Sequence, residues 1–172
     1  MTGIIKVDTI QNNGGTTGLT IDSSGNLSAP GNLDVTGRIT STQVAFLARG
    51  QSPSTISSGT DQTVVYGSTD YNIGSGYSTS TGKFTAPVSG LYLFSFVSMA
   101  QSGYFRSDIR INSSAQTQFR TDHDGADGMN YMQATITVIY NLTAGDVVDH
   151  YYTDGQIGGG GNETQFMGVL IG

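Results

Sequence analysis

Asp122-His123-Asp124-Gly125-Ala126-Asp127-Gly128 is the densest polar cluster in the chain. Carboxylates at alternating positions beside glycines can supply oxygen ligands to calcium, which nominates Asp122, Asp124 and Asp127 as a candidate cation site. No Glu follows at the spacing of an EF-hand loop, so a solvated Asp/Gly turn is the ordinary alternative. His123 adds an imidazole whose usual state in such a turn is simple exposure. Farther on, Tyr151 and Tyr152 precede Gln156, the run Gly158-Gly159-Gly160-Gly161 and Asn162. Tyrosines near a rim suit contact with sugars or proteins, and core or subunit interface is the alternative for a tyrosine in a strand. The candidate receptor-binding set is therefore Asp122, His123, Asp124, Asp127, Tyr151, Tyr152, Gln156 and Asn162.

Catalytic chemistry finds no such foothold. The four-glycine run lacks the Lys-Ser/Thr ending of a phosphate loop and introduces no helix. The sequence holds two His, no Cys and no Gly-x-Ser-x-Gly elbow, and no carboxylate pair is spaced for acid/base work. No catalytic residue and no resident cofactor are expected, with calcium at the aspartates as the one exception. His150, between Asp149 and Tyr151, reads as an interface hydrogen-bonding group or an exposed one.

Composition narrows the partners. Seven Lys and Arg against thirteen Asp and Glu give a net charge of −6. That removes the electrostatic term that dominates nucleic-acid affinity and leaves no basic face for an anionic membrane. Without Cys the fold must be held by packing and by subunit association. The amino end lacks the charged start and apolar core of a secretory signal, and no run is long enough to cross a bilayer. The expectation is a chain made soluble in a host cytoplasm, with no signal peptide and no membrane insertion.

The elements that must position these residues are strands. Charged residues make up only 12%, Gly reaches 25 residues, and Ser, Thr and Asn are abundant, a balance typical of turn-rich β-proteins. Gly82-Lys83-Phe84-Thr85-Ala86-Pro87-Val88-Ser89-Gly90-Leu91-Tyr92-Leu93-Phe94-Ser95-Phe96 reads as a short strand, a Pro/Gly turn and a long β-prone strand from Leu91 to Ala100. This run closely resembles the signature of complement C1q-like globular heads, of the C1q/tumour necrosis factor superfamily. Leu142-Thr143-Ala144-Gly145-Asp146-Val147 is similar to that family's late turn, and Phe166-Met167-Gly168-Val169-Leu170-Ile171 to its closing strand. The resemblance covers the chain from about Thr42 onward. It implies an all-β jelly-roll sandwich that assembles as a homotrimer.

Laid on that family's antiparallel order, strands fall near Lys83–Thr85, Leu91–Ala100, Phe105–Asn112, Ala115–Thr121, Tyr131–Leu142, Val147–Thr153 and Thr164–Ile171. Short turns at Pro87–Gly90, Asn112–Ser114 and Thr143–Gly145 then share the end where the chain enters. Gln101–Gly103, Asp122–Asn130 and Asp154–Glu163 fall at the opposite end, where long loops on a rigid scaffold commonly carry recognition. Met132, Ala134, Ile136, Val138, Tyr140 and Leu142 alternate with polar Gln133, Thr135 and Thr137, the pattern of a half-buried strand. Leu91 to Ala100 is apolar on both faces. Tyr92, Phe94 and Phe96 are assigned to core or trimer interface, and a neighbouring subunit is expected to cover the strand's second side.

Residues 1–41 differ from 42–172, with almost no aromatics and a six-residue recurrence, Gly25-Asn26-Leu27, Gly31-Asn32-Leu33 and Gly37-Arg38-Ile39. This reads as a short, repetitive, β-rich stalk whose aliphatic residues need partner chains to bury them; a flexible linker is the alternative. Gly3-Ile4-Ile5-Lys6-Val7-Asp8-Thr9-Ile10, Gly18-Leu19-Thr20-Ile21-Asp22 and the Gly-Asn-Leu repeats resemble the opening segments of bacteriophage structural proteins. The resemblance implies a virion fibre or spike, docked to other virion proteins through residues 1–41 and binding a host cell-surface glycan or protein through the head. A capsid decoration protein and a soluble C1q-like subunit of a cell are the alternatives.

Overall fold

Each regular element among the described residues is a β-strand, as β-branched and aromatic runs between glycine turns dictate. The computed structural model describes residues 8–11, 14–15, 17–32, 36, 43–52, 55–56, 61–123, 132–158 and 163–171. Among them no helix is long and apolar enough to cross a membrane. The chain divides into two units, Met1–Ser41 and Thr42–Gly172. The first holds β1 (Thr9–Gln11), β2 (Thr17–Ile21) and β3 (Leu27–Ser28) in one antiparallel sheet. The second holds β4 (Ala45–Ser52), β5 (Thr55–Ile56), β6 (Gln62–Thr63), β7 (Val65–Ile73), β8 (Tyr77–Ser78) and β9 (Lys83–Thr85). It continues with β10 (Gly90–Ile111), β11 (Ser114–His123), β12 (Met132–Leu142), β13 (Val147–Gly158) and β14 (Gln165–Leu170).

β10 organises the second unit. Its first half pairs on one side with β12 and on the other with β14, which continues through β4 to β7. Its second half pairs with β11 and with β13, which continues through β9 to β8. The result is a jelly-roll sandwich, with one layer ordered β7-β4-β14-β10-β12 and the other β11-β10-β13-β9-β8. The turn expected at Gln101–Gly103 is absent: one strand spans Gly90–Ile111, with its pairing interrupted between Ala100 and Phe105. The register on β13 shifts between Ala100 and Phe105. A strand that bends across a sandwich corner changes sheets without a hairpin, so the Gln-Ser-Gly run marks a crossing.

The core lies between the layers and is strongly aromatic. Phe46, Tyr92, Phe94 and Phe166 from the first layer meet Tyr77 and Phe84 from the second, all buried. Ring centroids are 4.8 Å apart for Phe46–Tyr77, 5.1 Å for Phe46–Phe84 and 5.3 Å for Phe84–Phe94. Such pairs contribute about 0.5–1.5 kcal/mol each beyond their burial. The fit leaves no slack at Gly168, where a Cβ would stand 2.6 Å from Phe46 and 2.7 Å from Phe94. At Gly82 the backbone is left-handed (φ 72°) and a Cβ would meet the Val64 carbonyl at 2.6 Å, so the turn before β9 requires glycine twice over.

Candidate functional site

Three turns are tied together at one end of the second unit. The Ala86 N–H donates to Asp146 O and the Gly145 N–H to Ala86 O, both at 2.8 Å. The Ala144 N–H donates to Ser89 Oγ at 2.9 Å. Asn112 and Ser113 adopt left-handed φ values of 51° and 66°, the conformation of a two-residue hairpin turn. The Asn112 side chain donates to Asp146 at 2.8 Å and accepts from the Val147 N–H at 2.9 Å. That donation, with the Thr143 N–H, holds the Asp146 carboxyl below its ordinary pKa. The chain also enters and leaves here, with the Leu170 N–H bonded to Val44 O and Ile171 N–H to Leu91 O. This end is closed and rigid.

The opposite end gathers the flanks of the candidate receptor loops. His123 and Gly155 both lie opposite Phe105, and Asp122 and Asp154 both lie opposite Arg106. Phe105 to Ile111 spans roughly 20 Å of strand, which separates this end from the turn cluster. The two segments nominated from sequence therefore do start side by side. Most of their residues change standing, however. Asp122 and His123 belong to β11 rather than to a loop, because pairing with β10 extends through them. Gln156 belongs to β13, half-buried, since that strand runs to Gly158 instead of stopping at Thr153. Tyr152 is wholly buried and its hydroxyl donates to Gly155 O, so it is a core residue and not a receptor contact. Asp124, Asp127 and Asn162 lie outside the described residues, and with them most of the candidate calcium cluster. Among the described residues no group of three or more His, Cys, Asp or Glu side chains is disposed to hold a metal.

Tyr151 faces outward from the second layer, half-buried, with the Arg110 guanidinium 3.3 Å from its ring centroid. Arg110 makes a bidentate pair with Asp149, at 2.6 and 3.2 Å, and Thr63 Oγ1 donates to the same carboxylate at 2.5 Å. This is one rung of a longer pattern. Lys83 and Arg110 flank Asp149, Arg106 sits between Asp122 and Asp154, and Arg120 is opposite Asp108. Four of the chain's seven cationic residues thus lie opposite an aspartate in strand register. Opposite charges directly across strands stabilise a sheet and leave little net field to recruit a charged ligand.

His150 is buried, contrary to the expectation of exposure or interface. Its ring stacks on Phe96 at 3.9 Å, Nδ1 lies 2.9 Å from the Tyr66 hydroxyl, and Nε2 lies 3.1 Å from Ser98 Oγ. Burial lowers its pKa from 6.5 to about 3 and pushes the Tyr66 hydroxyl well up, so both are neutral across the physiological range. The Ser–His contact has the geometry of a nucleophilic pair, but Ser98 is buried and Nδ1 faces a phenol instead of a carboxylate. The trio is a polar bridge from β13 to β7 and β10.

The outward face of the first layer is of another kind. Tyr92, Phe94 and Phe96 point inward and are fully buried, which assigns them to the core and removes them from any subunit interface. The residues between them point outward. Register aligns Ile73, Ala45, Val169, Leu93 and Ile139 in a row across all five strands. Tyr71, Leu47 and Met167 form part of a second row beside it. Ile139 is 53% exposed, and Tyr71, Ile73, Val169 and Leu91 are exposed as well. A shallow depression between Tyr71, Leu93, Met167 and Val169 reaches down to Phe46 and Gly168. Apolar bands of this kind are surfaces that proteins use for contact with partners or ligands.

The family model of the C1q domain matches residues 45–171. No curated protein sequence matches the chain. Among solved structures, the globular domain of zebrafish complement 1qA is similar at 16% identity and a TM-score of 0.53, covering 76% of this chain and 98% of that one. Eiger TNF from S. frugiperda is similar at 11% identity and 0.58, covering 77% and 94%. Murine APRIL is similar at 13% identity and 0.55, covering 75% and 99%. At these identities the likeness is one of fold.

Proposed function

The chain belongs to the C1q domain family, and from that premise we propose that it is a homotrimeric recognition head on an amino-terminal stalk, serving as a fibre or spike of a bacteriophage virion. The observation that carries the assembly is the apolar row Ile73–Ala45–Val169–Leu93–Ile139, of which Ile73, Val169 and Ile139 stand exposed. C1q and TNF-family proteins form homotrimers and bind ligands as non-enzymatic modules, which favours three copies over two. Three equivalent weak sites on one rigid body, repeated over a particle, turn modest single contacts into firm adhesion. The contact surface for a host glycan or protein is assigned to the end away from the turn cluster, where Asp122, His123 and Asp154 flank β10. Family membership serves a soluble cellular binding subunit equally well. The Gly-Asn-Leu repeat and opening residues of the first unit favour the fibre, with residues 1–41 docking to other virion proteins.

An antibody raised against residues 43–172 tests this on intact phage. It should label the particle periphery and block adsorption to host cells. Labelling without loss of adsorption would reduce the protein to a decoration of the capsid, and particles that take up no antibody would overturn the virion role.

A further inference from the structure

The small sheet of the first unit has two unlike sides. Register sets Ile10 opposite Leu19 and Ile21 opposite Leu27, and Leu19 and Ile21 are two residues apart on β2, so all four share one face. Thr9, Thr20 and Ser28 form a single row on the reverse, where Thr20 Oγ1 donates to Ser28 O at 3.4 Å. The β2–β3 connection is pre-formed. Asp22 Oδ1 accepts the Ser24 and Asn26 N–H groups at 2.9 and 2.8 Å, and Oδ2 accepts the Asn26 amide at 2.8 Å. Ile10, Ile21 and Leu27 nonetheless stand exposed, Leu27 at 58%. A three-stranded sheet with one aliphatic side is stable only when that side is packed.

We propose that this face is covered by the same face of other copies of the chain, which makes the stalk a self-association site separate from the head. The proposal rests on the head assembly put forward above. Four aliphatic side chains are too few to close a core alone, and identical copies supply matching faces of the same size. Charge does not oppose the packing, because residues 1–41 carry Lys6 and Arg38 against Asp8, Asp22 and Asp34. The chain enters the head on β4, whose Ala45 stands in the apolar row that joins copies. Assembly of the heads therefore brings the incoming segments together at high effective concentration. The Gly25-Asn26-Leu27 unit recurs at Gly31-Asn32-Leu33 and Gly37-Arg38-Ile39, so the sequence repeats the aliphatic spacing toward the head.

Because the chain has no cysteine, single thiols report the packing directly. Full-length Leu27→Cys and Thr20→Cys variants are oxidised gently, run on non-reducing gels and sedimented. With Leu27→Cys, up to two of every three chains should appear as disulfide-linked pairs, since three thiols about one axis make one bond. Thr20→Cys, on the hydroxyl side, should stay single, and both should sediment at three times 18.0 kDa. Equal linkage of the two variants, or none, in chains that still sediment as trimers would overturn the stalk packing and leave the head assembly standing. A monomeric unmodified chain would overturn both.

Discussion

The two layers of the sandwich turn opposite chemistries to the outside. The layer β11-β10-β13-β9-β8 carries aspartates and basic residues paired across strands, with Asp149 buried beneath Arg110 and Thr63. The layer β7-β4-β14-β10-β12 presents Ile73, Val169 and Ile139 exposed, with half-buried Leu93 between them. One surface is closed by its own polar groups and the other leaves aliphatic side chains against water. A jelly roll that met water equally on both sides would need neither the ladder nor the band. Under the trimer proposed above, the asymmetry singles out the apolar layer as the side that copies would share.

The sharpest way to break this contrast is Leu93→Asp, which puts a carboxylate in the centre of the apolar row. Burying it unpaired costs several kcal/mol per copy, so trimers should vanish at micromolar concentration while circular dichroism stays β-rich. A trimer that survives would move the interface elsewhere. On the other layer, Arg110→Ala should lower folding stability by about 3 kcal/mol through the Asp149 carboxylate it strands, yet leave sedimentation unchanged. Loss of trimer there would mean that the charged layer is an interface as well.

Acid probes the bridge that holds the two layers back to back. His150 has a depressed folded pKa, so below 6.5 the unfolded chain binds a proton that the folded chain refuses until about 3. Stability is therefore complete above pH 6.5 and falls as pH drops through that window, by about 2 kcal/mol per copy between pH 8 and pH 5. Urea midpoints at those two values measure it, and His150→Asn should flatten the slope. The smallest effect belongs to Asp70→Asn at the edge of the apolar layer. The Arg49–Asp70 pair, 2.7 Å apart but partly solvated, should be worth under about 1 kcal/mol, with no change in assembly.

The sequence made some of this legible and hid the rest for physical reasons. The residues of Leu91 to Ala100 showed a strand apolar on both sides, and the run from Lys83 to Phe96 showed its fold. It could not show which side meets the core, because Tyr92 and Phe94 are as apolar as Leu91 and Leu93; the small Gly168 opposite Phe94 settles the matter only through register. The charged ladder was invisible because Lys83, Arg110 and Asp149 are far apart in the chain and meet only through pairing. Tyr152 read as a rim residue because the glycines after it suggested an early end to β13, whereas pairing with β5 carries that strand to Gly158. A polar Gln-Ser-Gly run likewise looks the same in a turn and in a strand that changes sheets.

One placement has a mechanical meaning. β4, the strand that joins the head to residues 1–41, is hydrogen-bonded along both sides, to β7 and to β14. A pull applied through residues 1–41 would enter the second unit at Val44 and act on a strand held by two ladders instead of one. Their bonds must yield together, where a strand at the margin would peel away one bond at a time. Resistance to such pulling is set by the unfolding rate under load and not by equilibrium stability. A unit tethered through an interior strand gives way more slowly under such a pull than one tethered through an edge strand.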